Sequence, residues 1–342
     1  MKMAILGAGK QAPRHIAGLR GTEPGIELVV ADIDPGRARS LADREGLSVL
    51  KVDAVFRDDS IRAVVITTPT PTHVPLAEAA LDAGKAFLVE KPLAPSGGEA
   101  RRLAERLREK EGIGMVGFLY RSVPLFAEVR RLLVDEALLG PPHLALFRIG
   151  GRGSHQPWKH RHAEGGGVAN EMFVHALDLA FWFFGPPQDA HLLVRDLCQP
   201  EREIGGRMVP VDADDLWVVR LEYPHGPAVI LEADFLTPGF SQWVEIEGPH
   251  GGIRASIDSA FPSQLFLSHE RAGHPAGPSS IRPASGPEDP YRIQARTFLE
   301  AVRANRAPAY GQMAEAAELQ LLLDRLAQSS VSQPELRKAP LR

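Results

Sequence analysis

Cysteine is almost absent: Cys198 is the only one in 342 residues. No internal disulfide can form, so a reducing compartment is the expected setting. A large excess of either charge is missing too, and a formal balance of −4 gives no electrostatic footprint for nucleic acid. No apolar run approaches the length needed to span a bilayer, and no internal repeat is found. The first apolar strand begins within three residues of Met1, which leaves no room for a secretion signal. At 44% hydrophobic and 24% charged residues the composition supports a real core and argues against wholesale disorder. A cytoplasmic globular protein of two domains, with no nucleic-acid or membrane partner, is expected.

What is present begins with alternation of strands and helices, the pattern of a doubly wound parallel sheet. Residues 3–6 read as a short apolar strand that runs straight into Gly7-Ala8-Gly9-Lys10-Gln11-Ala12. Gly7 permits a tight turn, Gly9 lets the backbone approach a pyrophosphate, and Ala12 is small enough for helix-on-strand packing. The following helix, through Leu19, offers its N-terminal amides to phosphates. A second strand, residues 27–31, ends at Asp32. Its carboxylate suits the ribose hydroxyls of NAD and repels the 2′-phosphate of NADP, although Arg37 and Arg39 lie nearby. A helix carrying Ala38, Leu41 and Ala42 follows, then extended pieces near Val49 and Val55. Residues 63–66 form a strand ending in Thr67-Thr68-Pro69-Thr70-Pro71-Thr72-His73, followed by a helix over 75–83. His73 reads as a helix-start residue near the nicotinamide end.

A strand over 86–89 runs into Glu90-Lys91-Pro92. Ligands of open α/β sheets bind at the carboxyl ends of the strands. A lysine there can hold a sugar hydroxyl and stabilise negative charge on its oxygen. A charged helix over 99–110 and a strand over 113–118 complete the first part.

Beyond residue 142 strands follow one another, at 143–149, 190–195, 215–222, 227–233, 242–247 and 252–257, and imply an open, mainly antiparallel sheet. Residues 262–290 are rich in Pro, Gly and Ser and read as loop. Helices are expected over 291–304 and 313–329. The division is a Rossmann domain over 1–120 and a substrate-binding and oligomerisation α/β domain over 121–342, with the terminal helices able to pack back on the first domain.

One prominent helix, residues 168–184, opens from Gly165-Gly166-Gly167 and carries Glu171, His175 and Asp178. Glu171 and His175 are four apart and share a face. An imidazole can take a hydroxyl proton near neutral pH while a carboxylate one turn away orients it. The competing reading, a half-buried histidine paired for packing, loses ground beside Lys91 and the glycine turn. His155, His160 and His162 lack the spacing of zinc motifs and read as a solvated basic loop, so no metal is expected. His225, His250, His269 and His274 read as surface loop.

Together these elements resemble the glucose–fructose oxidoreductase/inositol dehydrogenase/rhizopine-catabolism family (Gfo/Idh/MocA) over nearly the whole chain. The resemblance is carried by GAGKQA with Asp32, TTPTPTH, AGKAFLVEKPLA at 83–94, GFLYRSVPLF at 117–126, GGGVANEMFVHALDLAFWFFG at 165–185 and VEIEGPHGGI. It implies that Lys91 positions substrate, that His175 is the general acid/base, and that Glu171 stands where aspartate is commoner. It also implies that Gly7, Ala8, Gly9, Lys10, Gln11, Asp32, Ile33, Arg37, Thr67, Thr68, Pro69, Thr70, His73, Glu90, Lys91 and Arg121 lie along the cofactor. Tyr120, Trp158, Lys159, Asn170, Glu171 and His175 join Lys91 around substrate, and a homodimer or homotetramer packed through the open sheet is implied. The expected reaction is NAD-linked oxidation of a secondary alcohol on a sugar, cyclitol or amino sugar. The alternatives are a lyase, glycosidase or isomerase with an internal redox cycle, and a non-catalytic nucleotide-binding regulator. Acids and bases near the pocket leave the charge of the substrate open.

Overall fold

A computed structural model of the protein describes residues 1–152, 156–258, 261–283 and 286–331. The chain divides into two compact units, Met1–Glu128 with Pro283–Leu321, and Val129–Arg282 with Leu322–Arg342. The first unit therefore extends past residue 120 and takes in a C-terminal segment.

In the first unit β1 (Lys2–Leu6), α1 (Ala12–Thr22), β2 (Glu27–Ala31), α2 (Pro35–Glu45), β3 (Ser48–Val49), α3 (Val52–Arg57), β4 (Ile61–Ile66), α4 (His73–Asp82), β5 (Ala86–Val89), α5 (Gly97–Glu109) and β6 (Gly114–Val116) follow in turn. The strands lie in the order β3-β2-β1-β4-β5-β6, all parallel. Their apolar runs are buried because helices cover both faces of such a sheet. Met3, Ile5, Val30 and Val65 meet Ile16 of α1 in one core, together with Phe298 and Leu299 from near the end of the chain. Burying a side chain such as Phe298 stabilises by about 1.5–3 kcal/mol. The strand order reverses between β1 and β4, which is where such sheets open a ligand crevice.

The extended piece expected near Val55 is not a strand. Val55 sits fully buried in α3, because tertiary burial overrides the β preference of valine.

A helix α6 (Pro124–Arg130) leads out of the first unit. The second unit holds β7 (Leu144–Gly151), α7 (Val174–Phe184), β8 (Asp189–Asp196), β9 (Glu201–Ile204), β10 (Arg207–Pro210), β11 (Leu216–Glu222), β12 (Ala228–Asp234), β13 (Phe240–Gly248), β14 (Gly251–Ser256), β15 (Gln264–Leu267) and β16 (Gly277–Ser280). Its sheet runs β16-β15-β14-β13-β7-β12-β11-β8. All pairs are antiparallel except β7 with β12. Alternate residues Ala145, Phe147, Trp217, Val219, Val229, Leu231, Val244 and Ile246 are buried on one face. There Phe173 packs on Trp217 (5.5 Å between ring centres) and Phe183 of α7 on Phe147 (6.0 Å).

The segment 262–290 is not all loop. Leu265 and Leu267 are buried between exposed Gln264 and Phe266, a period of two that the surrounding Gly and Pro obscured. Pro278 is tolerated in β16 because that strand lies at the sheet edge. The small pair β9–β10 also went unread.

Two further helices close the chain, α8 (Pro290–Ala304) and α9 (Met313–Gln328). Within the first unit α8 lies on α1, and only glycine fits at position 18: a Cβ there would meet the backbone of Tyr291 at 2.5 Å.

Candidate active site

The glycine turn sits at the carboxyl end of β1. Gly7 has φ +96°, and a Cβ there would strike the Thr67 and Thr68 backbone at 2.9 Å. At Gly9 the nearest atom to a Cβ is Thr67 O at 3.7 Å, and Gly9 and Lys10 are exposed. The turn is thus tight on its inner side and open on its outer side. Thr67 Oγ1 donates to Gly7 O (2.8 Å) or Leu6 O (3.1 Å), tying the loop after β4 to the turn. No side chain caps α1. Gln11 is turned away, its Oε1 accepting from Tyr291 OH at 3.0 Å, so the start of the helix is left for a phosphate.

Asp32 is half-buried at the end of β2. Its Oδ2 accepts from Ala8 N (2.7 Å) and its Oδ1 from Asp34 N (2.8 Å). Each carboxylate oxygen keeps a second lone pair for a hydroxyl. Ile33 beside it is 93% exposed. A cleft of about 370 Å³, lined by Ala8, Asp34, Gly36, Arg37, Ser40, Leu41 and Arg44, lies next to the turn. Arg37 stands 3.5 Å from Asp34. An exposed glycine turn, an uncapped helix start, an acid and an adjoining cleft fit a dinucleotide.

Three residues expected along the cofactor have other partners. His73 is 1% exposed, and its Nδ1 and Nε2 lie 2.8 Å from the carbonyl oxygens of Pro92 and Thr68. Its ring bridges the loop after β4 and the turn after β5. Burial is the main influence on the imidazole and holds its pKa below the ordinary histidine value. Arg121 is buried, with its fork on Glu315 at 2.7 and 2.8 Å and its charge 5.7 Å from the Phe118 ring. The guanidinium–carboxylate pair locks the turn after β6 to α9. Glu90 has an oxygen 2.7 Å from His15 Nε2.

Of the remaining loop residues, Thr68 Oγ1 accepts from Thr72 Oγ1 at 2.7 Å, and Thr70 opens a short 3-10 turn after Pro69. Lys91 is half-buried and follows β5 directly. Its N–H donates to Glu90 Oε2 at 3.3 Å, and the Lys91–Pro92 peptide is cis. Tyr120 packs on Phe126 (5.6 Å) and burial pushes its phenol pKa up, which keeps it neutral.

The second unit carries the other candidates. Gly165 and Gly167 have φ +76° and +108°, and a Cβ on Gly166 would lie 2.4 Å from Lys159 O. The triple glycine is therefore required by both conformation and space. The helix over 168–184 is not α throughout: residues Ala169–Phe173 are π-helical and α7 starts at Val174. Such local widening is frequent at functional sites. His175 is half-buried in the first turn of α7 and Asp178 is buried one turn on. Glu171 forms an ion pair with Lys159. Lys159 Nζ also lies 5.3 Å from the Trp158 ring centre. Trp158 Nε1 donates to Gln156 Oε1 (3.1 Å) and Asn170 Nδ2 to Gly165 O (3.0 Å). Arg161 pairs with Glu164 at 2.8 Å.

His155 lies outside the described residues. His160 is not a solvated loop residue: it is buried with its ring edge on Phe235 (5.4 Å). His274 is tied to Glu136 at 3.0 Å. No group of three potential metal ligands is found among the described residues, and none of the described helices is long and apolar enough to cross a membrane.

Sequence reading missed His15, Tyr291 and Glu315. The available signal at His15 was a polar residue on the same side of α1 as the apolar Ile16 and Leu19, with no water-facing reason to be there.

Residues 1–118 match the family model for the oxidoreductase family with NAD-binding Rossmann fold (GFO_IDH_MocA), and residues 126–254 match the GFO/IDH/MocA C-terminal domain. The inositol 2-dehydrogenase of Rubrobacter xylanophilus is 35% identical over 79% of this chain and 75% of its own. The scyllo-inositol 2-dehydrogenase (NAD(+)) of Bacillus subtilis is 33% identical over 74% of this chain and 73% of its own. Among solved structures, GenD2 from gentamicin A biosynthesis in complex with NAD aligns with a TM-score of 0.80 and 26% identity, over 96% of this chain and 94% of the other.

Proposed function

This chain belongs to the Gfo/Idh/MocA family of NAD-binding oxidoreductases, and from that premise we propose that it oxidises a secondary alcohol on an uncharged cyclitol or sugar with NAD. The observation that carries the reading is the pairing of Asp32 at the glycine turn with Lys91 at the end of β5, in a chain at least 33% identical to two inositol dehydrogenases over about three quarters of its length. NAD, when bound, supplies the hydride acceptor. Gly7 to Gln11 and the start of α1 hold its phosphates, and Asp32 takes the ribose hydroxyls and repels a 2′-phosphate.

In this reading Lys91 binds the reacting hydroxyl oxygen and stabilises the negative charge growing on it. His175 takes the hydroxyl proton. Glu171, ion-paired with Lys159, orients either His175 or the substrate. The preference for an uncharged substrate is supported by pairing: Lys159 with Glu171 and Arg161 with Glu164 cancel one another. An assembly of two or four copies through the open sheet face belongs to the same reading, and sedimentation of the purified chain measures it.

The test is nicotinamide absorbance after mixing the protein with NAD and a panel of inositols, neutral hexoses, amino sugars and sugar acids. Net NADH with a neutral member supports the proposal. NADH only with charged members, or with none, contradicts it.

A further inference from the structure

We infer that Asp34 is a second determinant of the choice between NAD and NADP, acting through Arg37. The inference rests on the dinucleotide reading above and concerns the first unit alone. The turn after β2 carries two acids, Asp32 and Asp34, on either side of Ile33. Asp32 Oδ1 accepts the backbone N–H of Asp34 at 2.8 Å, so the acid at the strand end fixes the backbone of the second one. The Asp34 side chain then caps α2. Its Oδ1 accepts from Gly36 N at 2.8 Å and from Arg37 N at 3.2 Å. Aspartate suits that position, and Pro35 suits the first helical residue after it. Its Oδ2 stands 3.5 Å from Arg37 Nε.

Both residues line the cleft of about 370 Å³ beside the glycine turn, together with Ala8, Ser40 and Arg44. Two guanidinium groups and a hydroxyl in one wall are groups that a phosphate can use. Each guanidinium has a carboxylate beside it, however. Arg44 Nε lies 3.6 Å from Glu45, as Arg37 does from Asp34. The positive charge of the cleft is matched before any nucleotide arrives.

The two acids act differently. Asp32 opposes a 2′-phosphate by its own charge. Asp34 acts on the cation that would otherwise offset that repulsion. The Arg37 and Asp34 side chains are 71% and 53% exposed, so their contact contributes little to stability. What matters is where the charge sits. Two backbone N–H groups hold the Asp34 carboxylate wherever the arginine goes. A 2′-phosphate drawn to Arg37 therefore meets a fixed negative charge beside it. NAD, with a hydroxyl in that place, needs no cation there.

The test uses Asp34→Asn, Arg37→Ala and the double variant Asp34→Asn/Arg37→Ala in the full chain, with Asp32 untouched. Asparagine keeps the capping oxygen, so α2 keeps its start. Dissociation constants for NAD and NADP are measured by fluorescence titration, which needs no turnover. In Asp34→Asn the affinity for NADP relative to NAD rises about tenfold, the size of one hydrogen bond to a charged group. Arg37→Ala costs NADP little while Asp34 is present, and in the double variant it removes the gain. That non-additivity is the signature of a coupled pair. A ratio that does not move in Asp34→Asn overturns the inference. So does a gain that survives in the double variant, because Asp34 then acts by its own charge and not through Arg37. A wild type that binds neither nucleotide overturns the proposed function and the inference together. A wild type that binds NAD, with a ratio that stays put, overturns the inference alone.

Discussion

Asp32 accepts the backbone N–H of Ala8 at 2.7 Å, so the acid proposed to take the ribose also clamps the glycine turn. Replacing it therefore has two effects. Asp32→Ala is expected to weaken NAD binding about tenfold or more, the loss expected for hydrogen bonds to a charged group. It also moves the NADP/NAD preference toward NADP. A fluorescence titration with both nucleotides checks it. Unchanged NAD affinity means that the clamp is not part of the site.

Lys91→Ala and His175→Ala are each expected to lower kcat by about 10²–10⁴, the usual worth of a positioned proton-transfer group. NAD binding, measured separately, is retained in both. Near-normal turnover in either variant removes that residue from the mechanism.

His73 lies between two carbonyl oxygens inside the fold. A neutral imidazole has one N–H, so His73→Leu removes one donor from the pair Thr68 O and Pro92 O, at a cost of about 1–3 kcal/mol for the buried acceptor left unmade. A fall in melting temperature of several degrees is expected in thermal denaturation. A variant that melts normally and fails only to bind NAD would return His73 to the cofactor.

Much of this arrangement was legible before any coordinates. The apolar runs within Lys2–Leu6, Glu27–Ala31 and Ala86–Val89 lie buried in a parallel sheet, and the strands end at Gly7, Asp32 and Glu90-Lys91, the residues to which the proposed function gives its tasks. Side-chain partners were less legible because they depend on elements far apart in sequence. Arg121 looked like a cofactor cation until Glu315 supplied its counter-charge from 194 residues away. The ion pair of Glu171 with Lys159 was not legible either, because it joins side chains on both sides of the glycine run. Local propensity misled where burial decided: Val55 became helical, and Leu265 and Leu267 became strand despite their Gly- and Pro-rich surroundings.

Glu90 makes acid stability depend on pH in a stated direction. Its folded pKa lies below its ordinary value of 4.5, so the folded state binds fewer protons than the unfolded state across that window. The stabilisation is fully present above about pH 4.5 and is lost as pH falls through the lower folded value. Glu90→Gln cannot ionise. The gap in melting temperature between wild type and Glu90→Gln should therefore shrink as pH falls below 4.5. A gap that is constant with pH would show that the Glu90 charge has no role in stability.

Lys159→Met leaves the Glu171 carboxylate without its lysine. The ratio of kcat/KM for an amino cyclitol over the neutral cyclitol is expected to rise by about tenfold, equal to about 1.4 kcal/mol of new pairing. Adding Glu171→Gln to that variant returns the ratio toward its starting value. A ratio that does not move places the pair away from substrate.

The central claim is hydride transfer from a carbinol carbon of a neutral cyclitol or sugar to NAD. It is tested most directly with a substrate deuterated at that carbon and mass analysis of the nucleotide after reaction. The account predicts reduced nucleotide carrying the deuterium, with His175→Ala slowing its appearance. Reaction of the substrate with no deuterium reaching the nucleotide would contradict it.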